Sequence, residues 1–294
     1  MSKEKKNVAL TSMIAAVFLT AFKLIVGILT GSLGILSEAL HSALDLVAAA
    51  ITWFAVRISD KPADREHHYG HGKIENLSAL IETALLLVTC IWIIYEAIHR
   101  LATGKSEIEV SIWSYLVIIF SIGVDITRSR ALKRVAKKYN SQALEADALH
   151  FSTDIWSSSV VLLGIVCAQF GIFIADSIAA LIVAMIVIFV SYRLGKRSIN
   201  ELLDRAPDKM TMEISKFLKE DVDVKYFHDL KLRSSGADTF VEVIVHLNQE
   251  LNLVKSHEIT EKIEASILSI IRRGKVIVHA EPHDDKTVDE SMNL

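Results

Sequence analysis

Six apolar stretches fill the first two hundred residues, at 8–29, 33–57, 77–98, 112–132, 147–169 and 173–194. Each matches the about 20 helical residues that a hydrocarbon layer requires. In lipid a peptide group has no water to pair with, so such stretches fold as helices and not as open strands. The chain has 294 residues, 51% of them hydrophobic, and the apolar excess ends near residue 200. The three prolines, Pro62, Pro207 and Pro282, all lie outside the stretches, so no proline kink is predicted. Gly31, Ser32 and Gly34 predict a tight turn between the first and second segments, and Gly171 predicts one between the fifth and sixth. The basic start, MSKEKKNVAL, is followed by no small-residue cleavage pattern, so the first stretch is read as a retained span.

Loop charges orient this bundle. Lys3, Lys5 and Lys6 precede the first segment, and Arg57, Lys61 and Arg65 follow the second. Arg128, Arg130, Lys133, Arg134, Lys137 and Lys138 end the fourth, and Arg193, Lys196 and Arg197 end the sixth. The alternate loops hold only Arg100 and Lys105. The positive-inside rule then predicts that both termini are cytosolic. A net charge of -3 argues against a nucleic-acid partner. Cys90 and Cys167 sit in hydrophobic runs and form no CxxC motif, which excludes a disulfide scaffold.

After Pro207 the pattern becomes that of a soluble domain. Residues 209–220 read as an amphipathic helix. Residues 224–233 and 239–247 read as strands about an SSG turn at 234–236. Residues 253–271 form a helix with Ile259, Ile263, Ile267 and Ile270 on one stripe, and 275–280 a last strand. The expected organisation is a transmembrane domain over 1–206, an αββαβ domain over 207–283 and an acidic disordered tail over 284–294.

The second and fifth segments each carry a histidine and an aspartate one helical turn apart, His41 with Asp45 and His150 with Asp154. Ser37 and Ser158 extend the two faces. Ionisable groups at that depth are costly and rarely face lipid. One divalent cation held between two helices satisfies all four, whereas a hydrogen-bonded polar seam would satisfy each pair separately. Two imidazoles and two carboxylates suit tetrahedral zinc. Magnesium prefers all-oxygen octahedra and calcium needs six or more oxygens. Spacing alone leaves cadmium, cobalt, iron, nickel and manganese open. Lys23 and Asp125 are further charges within the spans; Lys23 is available to pair inside the bundle and Asp125 to line a route. The chain has no GxxxxGK and no HExxH motif, which argues against an enzyme.

Together these features resemble the cation diffusion facilitator family of zinc and transition-metal exporters. The resemblance rests on LTGSLGILSEALHSALDL, PADREHHYGHGKIENLSAL, the second HxxxD at 150–154 and the soluble tail, in the family's order. It implies a homodimer in a bacterial inner membrane that exchanges metal for protons by alternating access. It also implies that the transport site is His41, Asp45, His150 and Asp154, and that the tail is a ferredoxin-like, metallochaperone-like domain. In the loop after the second segment, Asp64, His67 and His71 match a family metal site, with His68 additional. In the tail, His228, His257 and His279 match family ligands, and Glu281 replaces an aspartate. Ile244 stands where a further histidine is expected, and His246 lies two residues on, on the same strand face. Lys73 matches a family position that pairs with an aspartate, here Asp204. An uncoupled facilitator and a membrane-anchored metal sensor are the rival functions.

Overall fold

The computed structural model describes residues 2–31, 33–103, 112–169, 174–271 and 273–283. It divides into two compact units, Met1–Ile199 and Asn200–Leu294. The Gly171 turn and the acidic tail from 284 onward fall outside the described residues, as do the side chains of Ser37 and Cys167.

The first unit is built of six long helices: α1 (Ser2–Thr30), α2 (Leu33–Ser59), α3 (Lys73–Thr103), α4 (Ile112–Tyr139), α5 (Gln142–Gln169) and α6 (Ile174–Leu202). Each has 27 to 31 residues. At about 1.5 Å per residue that exceeds a hydrocarbon core of about 30 Å. Among the described residues, four are also apolar enough to cross a membrane, within α1, α2, α3 and α6. The expectation of six spans is therefore met on apolarity by four. The other two gather their charge away from one end: Asp125 to Lys138 on α4, and Glu145, Asp147, His150 and Asp154 on α5.

Burial is inverted relative to a soluble protein. Ile28, Val88, Trp92 and Phe189 are exposed, while Lys23, Asp45, Glu82, Arg128, Asp147 and His150 are buried. That is the pattern of a bundle whose outer solvent is lipid and whose ionisable groups turn inward. Small residues let the helices approach: Ala9, Ala16, Ala49, Ala55, Ala143 and Ala148 join Val56, Leu132, Leu144 and Phe151 in a core shared by α1, α2, α4 and α5.

The turns are short. Gly31 ends α1 with φ 68, a left-handed conformation that glycine adopts without a Cβ penalty. Asn140, at φ 50, ends α4, and Ser141 N–H donates to Ala136 O at 3.0 Å. The long loop expected between the fourth and fifth segments thus shrinks to two residues. Hydropathy locates lipid contact, and these helices continue beyond it as charged turns.

The second unit contains α7 (Asp208–Glu220), β1 (Tyr226–Ser235), β2 (Asp238–Leu247), α8 (Leu253–Ile271) and β3 (Gly274–Pro282). The sheet order is β1-β2-β3, antiparallel then parallel. A parallel pair needs a crossover, which α8 supplies. Gly274, at φ 142, admits no side chain, because a Cβ would lie 1.7 Å from Thr239 O. Val241, Val243 and Val245 alternate toward Ile214, Leu218, Ile263, Ile267 and Ile271 from the two helices. Strand alternation therefore turns Ile244 and His246 to the other face of the sheet. The chain is accordingly a multi-helix membrane portion followed by a mixed α/β domain.

Candidate metal centres

α2 and α5 bring the two His–Asp pairs face to face. His150 Nε2 lies 2.9 Å from Asp45 Oδ1 and 3.9 Å from Asp154 Oδ2. His41 Nε2 lies 3.6 Å from Asp154 Oδ1 and 4.0 Å from Asp45 Oδ1. Each imidazole thus faces both carboxylates. A tetrahedral ion with bonds of about 2.0–2.2 Å places its ligand atoms about 3.4 Å apart. His41, Asp45 and Asp154 each bring one such atom within 4.8 Å of the others, and His150 joins them through Asp45 Oδ1 and the second oxygen of Asp154. The side chains of Asp45, His150 and Asp154 are buried, and His41 is 39% exposed. His150 Nδ1 and Asp154 Oδ2 are buried without a hydrogen-bond partner among the described residues.

A cavity of 290 Å³ reaches this cage. Its lining includes Lys23, Glu38, Glu96, Asp125 and Ser177, besides His41, Asp45 and Asp154. All of these come from the cage itself or from the helix portions nearer the α1–α2 turn. Toward the opposite end polar contacts link the helices. Glu75 accepts from Lys5, Ser141 and, at 2.8 Å, Ser59. Glu82 accepts from Thr52 and from Ser78.

Glu82 and Asp147 escaped the sequence reading, and Arg128, read there as a loop charge, is buried in this interior. Glu82 and Asp147 are fully buried, and each keeps one carboxylate oxygen without a hydrogen-bond partner among the described residues. Arg128 lies 3.3 Å from Asp125, donates to Ser12 Oγ at 3.2 Å, and stacks 3.5 Å from the Phe151 ring centroid. Ser12 in turn donates to Asp147 Oδ2 at 3.2 Å. No signal in a single chain marks Glu82 or Asp147, since an isolated charge on a helix announces no partner.

The loop between α2 and α3 gathers Asp64, His67 and His71. Asp64 Oδ1 accepts the N–H groups of His67 at 2.7 Å and Glu66 at 3.0 Å. The His67 N–H holds the Asp64 carboxyl below its ordinary range, with that of Glu66 adding to it. His67 Nδ1 is 3.4 Å and His71 Nε2 3.5 Å from the same carboxylate. His68 turns away, its Nε2 3.1 Å from Arg65 O.

On the open face of the sheet, His228, His246 and Glu281 converge. Register explains the set. His228, Ile244 and His279 share one cross-strand row, and Tyr226, His246 and Glu281 share the next. His246 Nε2 is 3.7 Å and His228 Nε2 4.0 Å from Glu281 Oε2. Both ring nitrogens of His246 are buried and lack a hydrogen-bond partner among the described residues. His279 reaches the other oxygen of Glu281 at 3.7 Å but is exposed. His257, on α8, is exposed and lies 3.4 Å from Glu261, apart from the cluster. Lys73 opens α3, and Asp204 in the second unit lies 3.9 Å from Arg233.

The sequence profile of the cation efflux transmembrane domain matches residues 9–203, and that of the cytoplasmic domain of cation efflux proteins matches residues 206–283. The chain belongs to the cation diffusion facilitator family. It is 32% identical to the cation-efflux pump FieF of Shewanella oneidensis, covering 92% of each chain. It is 29% identical to FieF of Yersinia enterocolitica, covering 94% of this chain and 92% of that one. FieF of Cronobacter sakazakii is 30% identical, covering 93% of this chain and 91% of that one. A solved chain of CzrB in a Zn form is 22% identical and covers 27% of this chain and 92% of that one, with a TM-score of only 0.26. The protein is thus a multi-pass membrane transporter and not an enzyme, with His/Asp clusters set among and beside its membrane helices.

Proposed function

We propose that this protein exports a divalent metal cation, zinc foremost, in exchange for protons, through the cage of His41, Asp45, His150 and Asp154. The observation that carries the reading is the alternation of imidazole and carboxylate between α2 and α5 at 2.9–4.0 Å. The same atoms accept either a metal ion or protons, so loading with one expels the other. That competition couples the two fluxes when the cage opens alternately to the two sides.

All six helices cross the membrane in this reading, the charged halves of α4 and α5 extending beyond or turning inward. The basic loops put both termini in the cytosol of a bacterial cell. The cavity then opens outward, and the contacts around Glu75 and Glu82 close the cytosolic route. The second unit is a ferredoxin-like cytosolic domain that helps to hold a homodimer. Its cluster of His228, His246 and Glu281, and the loop cluster of Asp64, His67 and His71, are metal sites that bind zinc without carrying it. One metal per tail fits better than two, because Ile244 occupies the row between His228 and His279.

Zinc flux into proteoliposomes, with and without an imposed pH gradient, tests the proposal. Exchange predicts that flux responds to the gradient and moves protons; flux indifferent to the gradient would leave an uncoupled facilitator. Competition by cadmium, iron, cobalt, nickel and manganese in the same vesicles ranks the cargo.

A further inference from the structure

Lys23 is an ammonium placed inside the metal cavity. Its side chain is 7% exposed. Its Nζ lies 2.9 Å from Ser42 Oγ and 3.1 Å from Glu38 Oε2. Ser42 adjoins His41, and the hydroxyl of Thr20, nearly one turn before Lys23 on α1, is shared between the Ser42 carbonyl at 2.9 Å and the Ala16 carbonyl at 2.8 Å. This part of α1 is therefore fastened to the turn of α2 that carries the first cage ligand. Glu38, half exposed, sits one turn nearer the cavity mouth, and both charges line the same cavity as His41, Asp45 and Asp154.

A charge count gives the arrangement a purpose. Two carboxylates in the cage balance one divalent ion. Asp125 is balanced by Arg128 at 3.3 Å. Glu38 and Glu96 are the further carboxylates of the lining, and Lys23, 3.1 Å from Glu38 Oε2, cancels the charge of Glu38. Fixed charges in a site of low dielectric act on a bound ion far more strongly than they would in water. An exporter must also release what it binds, so excess negative charge in the release route is a hindrance.

We propose that Lys23 sets the affinity of the cavity for its metal, by neutralising Glu38 and by opposing the bound cation. This rests on reading the four His/Asp residues as the transport site. Removing Lys23 exposes the metal to an unbalanced Glu38 and tightens binding, which slows release. Removing Glu38 leaves Lys23 unbalanced and weakens binding. Removing both restores the count.

The test is zinc binding by the purified full-length protein, with the membrane class defined as the binding lost in Asp45→Ala/Asp154→Ala. Lys23→Met should bind zinc in that class at least about tenfold tighter, and Glu38→Gln at least about tenfold weaker, since a unit charge about 10 Å from a divalent ion at an effective dielectric near 20 is worth more than a factor of ten. Lys23→Met/Glu38→Gln should return to near wild type, and Lys23→Arg should stay there. A purely structural lysine would not produce shifts of opposite sign that cancel. Affinity unchanged or weakened in Lys23→Met overturns the proposal, and so does unchanged affinity in Glu38→Gln, which stands even if Lys23→Met fails to fold. If Asp45→Ala/Asp154→Ala loses no zinc binding, so that the class is empty, the transport-site reading itself is overturned, a failure seen in the control and not in the Lys23 series.

Discussion

His150 Nε2 on α5 stands 2.9 Å from Asp45 Oδ1 on α2, although 105 residues separate them. The shortest His–Asp contact in the cage is therefore between helices and not within either HxxxD pair. The cage is thus a property of two helices held together, and any motion that parts α2 from α5 dismantles it. A site of that kind can let its cargo go.

Loss of one cage carboxylate should abolish transport without unfolding the protein. In Asp154→Ala, zinc flux is expected to fall to that of protein-free vesicles. Thermal unfolding without metal should change little. Wild-type protein should gain about 2.7 kcal/mol when free zinc is a hundred times the Kd of the cage, and Asp154→Ala should lose the part of that gain the cage supplies.

Arg128 and Asp125 form a pair whose side chains are 6% and 11% exposed. Arg128→Leu strands the carboxylate and should cost about 3–5 kcal/mol. Asp125→Leu/Arg128→Leu should recover most of it. Equilibrium unfolding of the three proteins in detergent gives the comparison.

The tail cluster predicts opposite signs with and without metal. His246 is buried with no hydrogen bond to either ring nitrogen among the described residues. His246→Leu should therefore stabilise the metal-free domain by about 1–2 kcal/mol, since a buried polar group without a partner is costly. The same substitution should remove the stabilisation that zinc gives the domain. His257→Ala should affect neither, as read by amide exchange of β2 and β3.

In the loop, Asp64 contributes order above the ordinary carboxylate range. Its folded value is depressed, so the contribution persists as acid is added and is lost only when pH falls through that depressed value. Between pH 5 and 8 the backbone at Glu66 and His67 should accordingly stay protected from amide exchange. Zinc binding there should still weaken toward pH 5, through proton competition at the imidazoles. Asp64→Asn should keep the turn, because its amide oxygen still accepts, yet bind zinc more weakly. Asp64→Ala should lose both.

Much of this was legible in the chain, for reasons that differ by element. The HxxxD pairs declared themselves because polar residues one turn apart stand out in an apolar run. The αββαβ order of the tail followed from clear changes of period and from the SSG turn. The ends of α4 and α5 did not, because charged turns leaving the apolar zone resemble loop until Asn140 is seen to take a left-handed conformation. Glu82 and Asp147 were hidden, because Thr52 and Ser12, which donate to them, come from other helices; Arg128 reads as a loop charge in the sequence, although Asp125 stands three residues before it on α4. The choice of His246 over His257 depended on which layer each occupies and on a register interrupted between His228 and Lys231, which no spacing reveals.

Anomalous diffraction at the zinc edge from crystals of the full-length protein tests the central claim most directly. The account predicts a zinc peak between α2 and α5, about 2.0–2.2 Å from ligand atoms of His41, Asp45, His150 and Asp154, and its loss in Asp45→Ala/Asp154→Ala crystals. Zinc peaks at the loop or tail alone, with these four side chains unliganded, would contradict it.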